Sequence, residues 1–269
     1  MSAARAWLIV ALLLWHACAE AGATCDDRQI GPQQMAAAAA NALAIRDALE
    51  AENAPVALVA RAGTDLSRYG LRYSHAGLAF RDHPNGRWTV VHLLNTCGSQ
   101  HSQLHADGLM NFYADNLAPG SARVVWLDAR LARQLAAWTD SDLQRLHEKR
   151  YNLIARPGSR EYQNSTAWLL EVLAAAQLRQ PQPSRGQAQA LLTAQAFQPD
   201  HIHISYGKRI AGGLFSANTV FTDHPLATRL SGDYPVVTVR SIVGYLAAQG
   251  LSQREREWLA GTPVTTQDW

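Results

Sequence analysis

The sequence predicts an α+β fold in which a small antiparallel sheet packs against helices, and three observations carry that expectation. Two apolar runs, His75 to Phe80 and Trp88 to Leu94, flank the turn formers Asp82-His83-Pro84-Asn85-Gly86 and read as a hairpin. Ser165 to Leu178 places Trp168, Leu169, Val172, Leu173 and Ala176 on one helical face. Between and around these, segments of strand and helix character follow one another.

Taken in order, residues 1–23 have the three-part layout of a secretory signal: Arg5, the apolar run Ala6 to Trp15, then small residues. The run is about ten residues, half of the roughly 20 needed to cross a bilayer. Cleavage after Ala19 or Ala23 is expected, and Trp15-His16-Ala17 before Cys18 is a poor lipidation signal. The expected location is periplasmic or secreted, with residues 24–269 forming a single globular domain. No later segment has the length and apolarity of a membrane span. The formal charge is +2 over 269 residues, and Arg5 and Glu20 cancel within the signal, so nothing points to nucleic acid. Cleavage leaves Cys25 and Cys97, an even pair in an oxidising compartment, which predicts a disulfide.

Pro32 to Asn53 is alanine-rich with Met35, Leu43, Ile45 and Leu49 near helical spacing, and Pro55 ends it. Val56 to Ala60 and Val124 to Leu127 read as strands. Ala129 to Trp138 and Asp142 to Lys149 read as helices, the second capped by Ser141. Arg179 to Gln187, with Pro181, Pro183 and Gly186, is a loop, and His201 to Tyr206 and Val236 to Arg240 are further strands.

Three polar positions sit where burial is costly without a partner: His75 and His92 on the hairpin, and Ser165 at a helix start. Free N–H groups and the positive dipole end at a helix start favour a developing oxyanion. A serine there attacks a carbonyl if a histidine takes its proton and a second polar group orients that histidine.

The runs Ser74-His75-Ala76-Gly77-Leu78-Ala79-Phe80 and Val90-Val91-His92-Leu93 resemble the strand pair of circularly permuted papain-like proteins, the lecithin:retinol acyltransferase-like and NlpC-type enzymes. That resemblance implies a base at His75, an orienting residue at His92 and a nucleophile at Ser165, where those enzymes carry cysteine. Serine is much harder to deprotonate than a thiol with a reference pKa of about 8.5, so the exchange favours either a serine variant or a site that only binds. Over most of its length the chain also resembles an uncharacterised bacterial family, domain of unknown function 2145. Residues Asp65 to His75 and Tyr162 to Glu171 carry that likeness.

Hairpin geometry sets a condition on this site. A three-residue loop closed by Gly86 pairs His83 with Arg87 and puts His92 on the opposite sheet surface from His75. Direct pairing of His75 with His92 instead needs a longer loop or a bulge.

Each of the three also has a plainer reading: Ser165 or Asn164 as a helix cap, and each histidine as a satisfied core residue. Tyr151, Asn152, Tyr162, Gln163 and Asn164 flank the helix start as candidates to line its cleft, or as ordinary loop packing. His101 and His105 at helical spacing near Asp107, and His201 with His203, match no recognised metal signature, so no metal or cofactor is expected. The resulting expectation is a cell-envelope hydrolase or acyltransferase acting on an amide or ester. Its rival is a non-catalytic envelope protein that binds a peptide, glycan or lipid in the same cleft.

Overall fold

The computed structural model describes residues 30–115 and 120–264. The expected signal segment, residues 1–23, and Cys25 lie outside those residues. The fold is mixed α+β around a sheet of seven strands, larger than the sequence suggested.

Helix α1 (Pro32–Ala51) begins with proline at its first turn and buries Ala38, Asn41, Ile45 and Leu49. Strand β1 (Val56–Arg61) follows Pro55, and all six of its residues are buried, as befits a strand covered on both faces. The hairpin is β2 (His75–His83) with β3 (Gly86–Asn95), and β4 (Ser102–Gly108) runs back along β3. A short helix α2 (Leu109–Ala114) leads to β5 (Ser121–Leu127). Helices α3 (Ala129–Ala136) and α4 (Asp140–Arg145) come next, and α4 is capped by Thr139 in a reciprocal box with Asp142, not by Ser141. Then follow α5 (Ser165–Gln177), α6 (Arg185–Ala194), β6 (Asp200–His203), α7 (Tyr206–Phe215) and α8 (Leu226–Ser231). The described chain ends with β7 (Asp233–Val236), α9 (Val239–Ala248), β8 (Ser252–Leu259) and β9 (Thr262–Val264). The expected strand from Val236 to Arg240 is therefore a junction, because Thr238 caps a helix that starts at Val239.

The large sheet has the order β4-β3-β2-β1-β5-β8-β9 with every neighbouring pair antiparallel, and β6 pairs β7 separately. Alternation along the strands divides the core in two. One surface presents Ala57, Val59, Ala79, Val90, Val124 and Trp126 to α1 and α2. The other presents Leu58, Leu78, Phe80, Val91 and Leu93 to α3, α5 and α9. Residues 165–176 of α5 are buried on every side, not only along the expected stripe, because helices enclose it where it leaves the sheet.

The hairpin loop has two residues, Pro84 and Asn85, so His83 pairs with Gly86 and not with Arg87. Gly86 supplies the positive φ of +132° that closes it. Glu50 of α1 grips the tip, accepting from Arg87 Nη2 at 2.6 Å and from the Trp88 indole at 2.7 Å.

Candidate functional site

The shorter loop decides where the histidines point. Leu78 pairs with Val91 and Ala79 with Val90, and continuing that register sets Gly77 opposite His92. His75 and His92 then share the α2 surface as diagonal neighbours, close enough for long side chains to meet. Their rings do meet: Nε2 of His75 lies 2.8 Å from Nδ1 of His92. Gly77 makes room, since a Cβ there would stand 2.8 Å from the Val91 carbonyl oxygen and 2.9 Å from Cβ of His92.

A third strand completes the chain of contacts. In β4, His105 pairs with His92 and Asp107 with Val90, so Asp107 is the diagonal neighbour of His92. His92 Nε2 lies 2.9 Å from Asp107 Oδ2. The hydrogen bond with His92 holds the Asp107 carboxyl below the ordinary carboxylate range, so at neutral pH it is ionised and only accepts. His92 therefore donates from Nε2 and accepts at Nδ1, and His75 donates from Nε2. The remaining lone pair of the relay is Nδ1 of His75.

Burial keeps both rings neutral. His75 is 7% and His92 1% exposed. Desolvation pushes both pKa values below the usual imidazole value, and nearby Arg61 adds to it, while Asp107 opposes it at His92. Phe112 of α2 seals the pair, with its ring centroid 5.2 Å from His92 and 5.8 Å from His75. Arg61, paired with His75 across β1 and β2, places its guanidinium over the Phe112 ring and reaches Asp115 Oδ2 at 2.6 Å.

Ser165 opens α5, and its neighbour Asn164 is the cap, accepting from the Ala167 N–H at 2.8 Å. The helix packs against the opposite sheet surface from the histidines, and among the described residues no hydrogen bond joins the Ser165 hydroxyl to either ring. Ser165 nevertheless lies towards the end of the sheet at which β2 begins. Tyr151 N donates to Gln100 O at 2.7 Å, Ser102 N to Lys149 O, and Gln163 N to Arg150 O, which ties the segment before α5 to the start of β4. That is where β3 ends and, across the hairpin, where β2 begins with His75.

The proposed lining residues are mostly built into this anchor. Tyr151, Asn152, Gln163 and Asn164 are buried. Gln163 bridges the Glu148 N–H and the Leu146 carbonyl, and the Asn164 amide donates to Leu153 O. Tyr162 is the partly open one, stacked under Arg150. Glu171 fixes the helix from within, held by Arg185 at 2.8 Å and Gln189 at 2.7 Å.

The other histidines separate. His101 and His105 stand in extended chain, about 13 Å apart by strand geometry, and not one helical turn apart. His201 is exposed and pairs with Asp233, and His203 is exposed too. Among the described residues no group of three metal-binding side chains converges, and no helix is long and apolar enough to cross a membrane.

Sequence reasoning missed Arg61 and Phe112, and weighed Asp107 only as a neighbour of His101 and His105 in a metal reading. Asp107 had a signal: Gln103, His105 and Asp107 alternate with Leu104 and Ala106, the mark of a strand with one polar side.

Fold and site together define an α+β protein with a His–His–Asp chain laid across three adjacent strands of an antiparallel sheet. The chain belongs to the family described as uncharacterised protein conserved in bacteria, domain of unknown function 2145, whose model matches residues 48–246. No curated protein and no solved structure matches it significantly.

Proposed function

We propose that the protein is an exported cell-envelope hydrolase or acyltransferase of permuted papain-like type, acting on an amide or ester. The observation that carries this reading is the His75–His92–Asp107 relay, which leaves a neutral imidazole with its Nδ1 lone pair available. In the proposed step, Ser165 Oγ attacks the substrate carbonyl carbon and its proton passes to His75 Nδ1. His92 and Asp107 stabilise the imidazolium. His75 then protonates the leaving amine or alcohol, and water or an acceptor hydroxyl releases the acyl group from Ser165 by the reverse sequence. The N-terminus of α5 offers N–H groups to the oxyanion. Reaction requires Ser165 to close on His75 at the shared end of the sheet.

A fluorophosphonate probe tests this directly. Labelling at Ser165 that disappears in Ser165→Ala and His75→Ala supports the reading. Ser165→Cys supplies a second measurement: a thiol alkylated faster than free cysteine, with the excess lost in His75→Ala, shows that the site activates a nucleophile. No labelling and an ordinary thiol rate would overturn it.

One observation favours a second reading, a non-catalytic protein that binds a peptide, glycan or lipid. Among the described residues no hydrogen bond joins the Ser165 hydroxyl to His75 or His92, so in this arrangement the relay does not polarise Ser165. Under that reading both labelling tests are negative.

A further inference from the structure

We propose that α7 and α8 together form a docking surface for an anionic lipid bilayer. Tyr206 and Ile210 lie one turn apart on α7 and are 71% and 47% exposed; Leu226 and Leu230 lie one turn apart on α8 and are 61% and 72% exposed. Spacing of four puts each pair on one helical face. The helices adjoin, since Arg209 Nη1 donates to Arg229 O at 2.9 Å and the Arg209 guanidinium lies 5.7 Å from the centre of the Tyr206 ring.

Charge selects the occupant. Lys208, Arg209 and Arg229 sit on these two helices, and neither helix carries an aspartate or glutamate. The flanking acids are engaged elsewhere: Asp223 accepts from the Arg156 N–H at 2.7 Å and the Ser159 hydroxyl at 2.6 Å, and Asp233 pairs with His201. Exposed apolar side chains on two helices whose charged residues are all basic suit a shallow seat in the interface of an anionic membrane. A second copy is a poor occupant, because a twofold contact would set the same three cations against themselves. This surface is separate from the His75 relay and does not depend on the reaction proposed there.

Vesicle sedimentation tests it, using neutral phosphatidylcholine and phosphatidylcholine with phosphatidylglycerol. The protein is expected to sediment with the anionic vesicles and to come off as salt rises. Leu226→Asp with Leu230→Asp, at positions already in water, should weaken binding at least about tenfold and leave the thermal melt unchanged. Lys208→Gln should weaken it about fivefold, the effect of one basic residue near a charged surface. If the double variant fails to fold, Lys208→Gln decides. Equal binding to neutral vesicles, no binding, or binding indifferent to these changes overturns the proposal. A patch-dependent dimer in solution also overturns it, by giving the surface to a second copy.

Discussion

His75 and His92 are diagonal partners across β2 and β3, joined at 2.8 Å, although neither stands opposite the other in the register. The histidine directly opposite His92 is His105. Which pair forms the relay is therefore set by side-chain reach and by the absence of a side chain at Gly77.

Gly77→Ala is the sharpest structural test of that arrangement. A methyl group 2.8 Å from a backbone oxygen has no soft neighbour to displace on that side. We expect a loss of about 1 to 3 kcal/mol in denaturant unfolding, and a change in the imidazole proton resonances of both rings. A variant with wild-type stability and spectrum would show that β2 and β3 are not apposed as described.

Asp107→Asn tests the order of donors. An amide no longer fixes the His92 tautomer, so the relay loses its direction while its shape is nearly kept. The imidazole N–H resonances of His75 and His92 should broaden or shift, and any Ser165 labelling should fall far more than stability does. Unchanged labelling would remove Asp107 from the machinery.

Stability should decline on the acid side of neutrality. His75 and His92 have folded pKa values below the ordinary one of about 6.5, so below that pH the unfolded chain binds protons that the folded chain refuses. Each contributes a loss of up to about 1.4 kcal/mol per pH unit, from about 6.5 down to its folded value. The Asp107 pKa is lowered too, but from the carboxylate range, so its stabilising contribution holds through this window and is lost only as pH falls below the ordinary carboxylate value. Urea midpoints at pH 7.5 and 5.0 measure the difference, which His75→Gln should reduce. A flat profile would mean the rings are not neutral and buried.

Arg185→Ala should be more damaging than Glu171→Gln. Removing the arginine strands a carboxylate that burial already pushes upward in pKa, at a cost of roughly 3 to 5 kcal/mol. Glu171→Gln leaves amide partners for Gln163 and Gln189 and should cost less. Thermal unfolding of the two variants ranks them, and the reverse order would contradict the buried pair.

The disulfide expected between Cys25 and Cys97 is read by peptide mapping without reductant, which should yield one species joining the two segments. Its reduction should cost roughly 4 kcal/mol, given the length of loop it closes. Two separate alkylated thiols in protein recovered from an oxidising compartment would refute it.

Much of the frame was legible. The turn formers at Asp82 to Gly86 announced the hairpin, and the apolar residues after Ser165 announced the central helix, because local chemistry alone sets both. The loop length did not follow, since Pro84-Asn85-Gly86 suits two- and three-residue closures alike, and the choice moves His92 from one surface to the other. Strand β8 was missed because Gln253-Arg254-Glu255-Arg256-Glu257 is polar on both sides; only Trp258 near its end enters the core. His105 and Asp107 read as a possible ligand set while their segment lacked an assigned period. Once β4 is a strand, they fall on the side of His92.

Asp107 belongs to β4, at one edge of the sheet, and its side chain is 34% exposed while His92 beneath it is nearly sealed. The inner imidazole thus senses the surrounding medium through a single carboxylate at the rim. A strand from another molecule laid along that rim would take water from the carboxylate and tighten its hold on His92. The affinity of His75 for a proton would change by remote control, with nothing having entered its own surroundings.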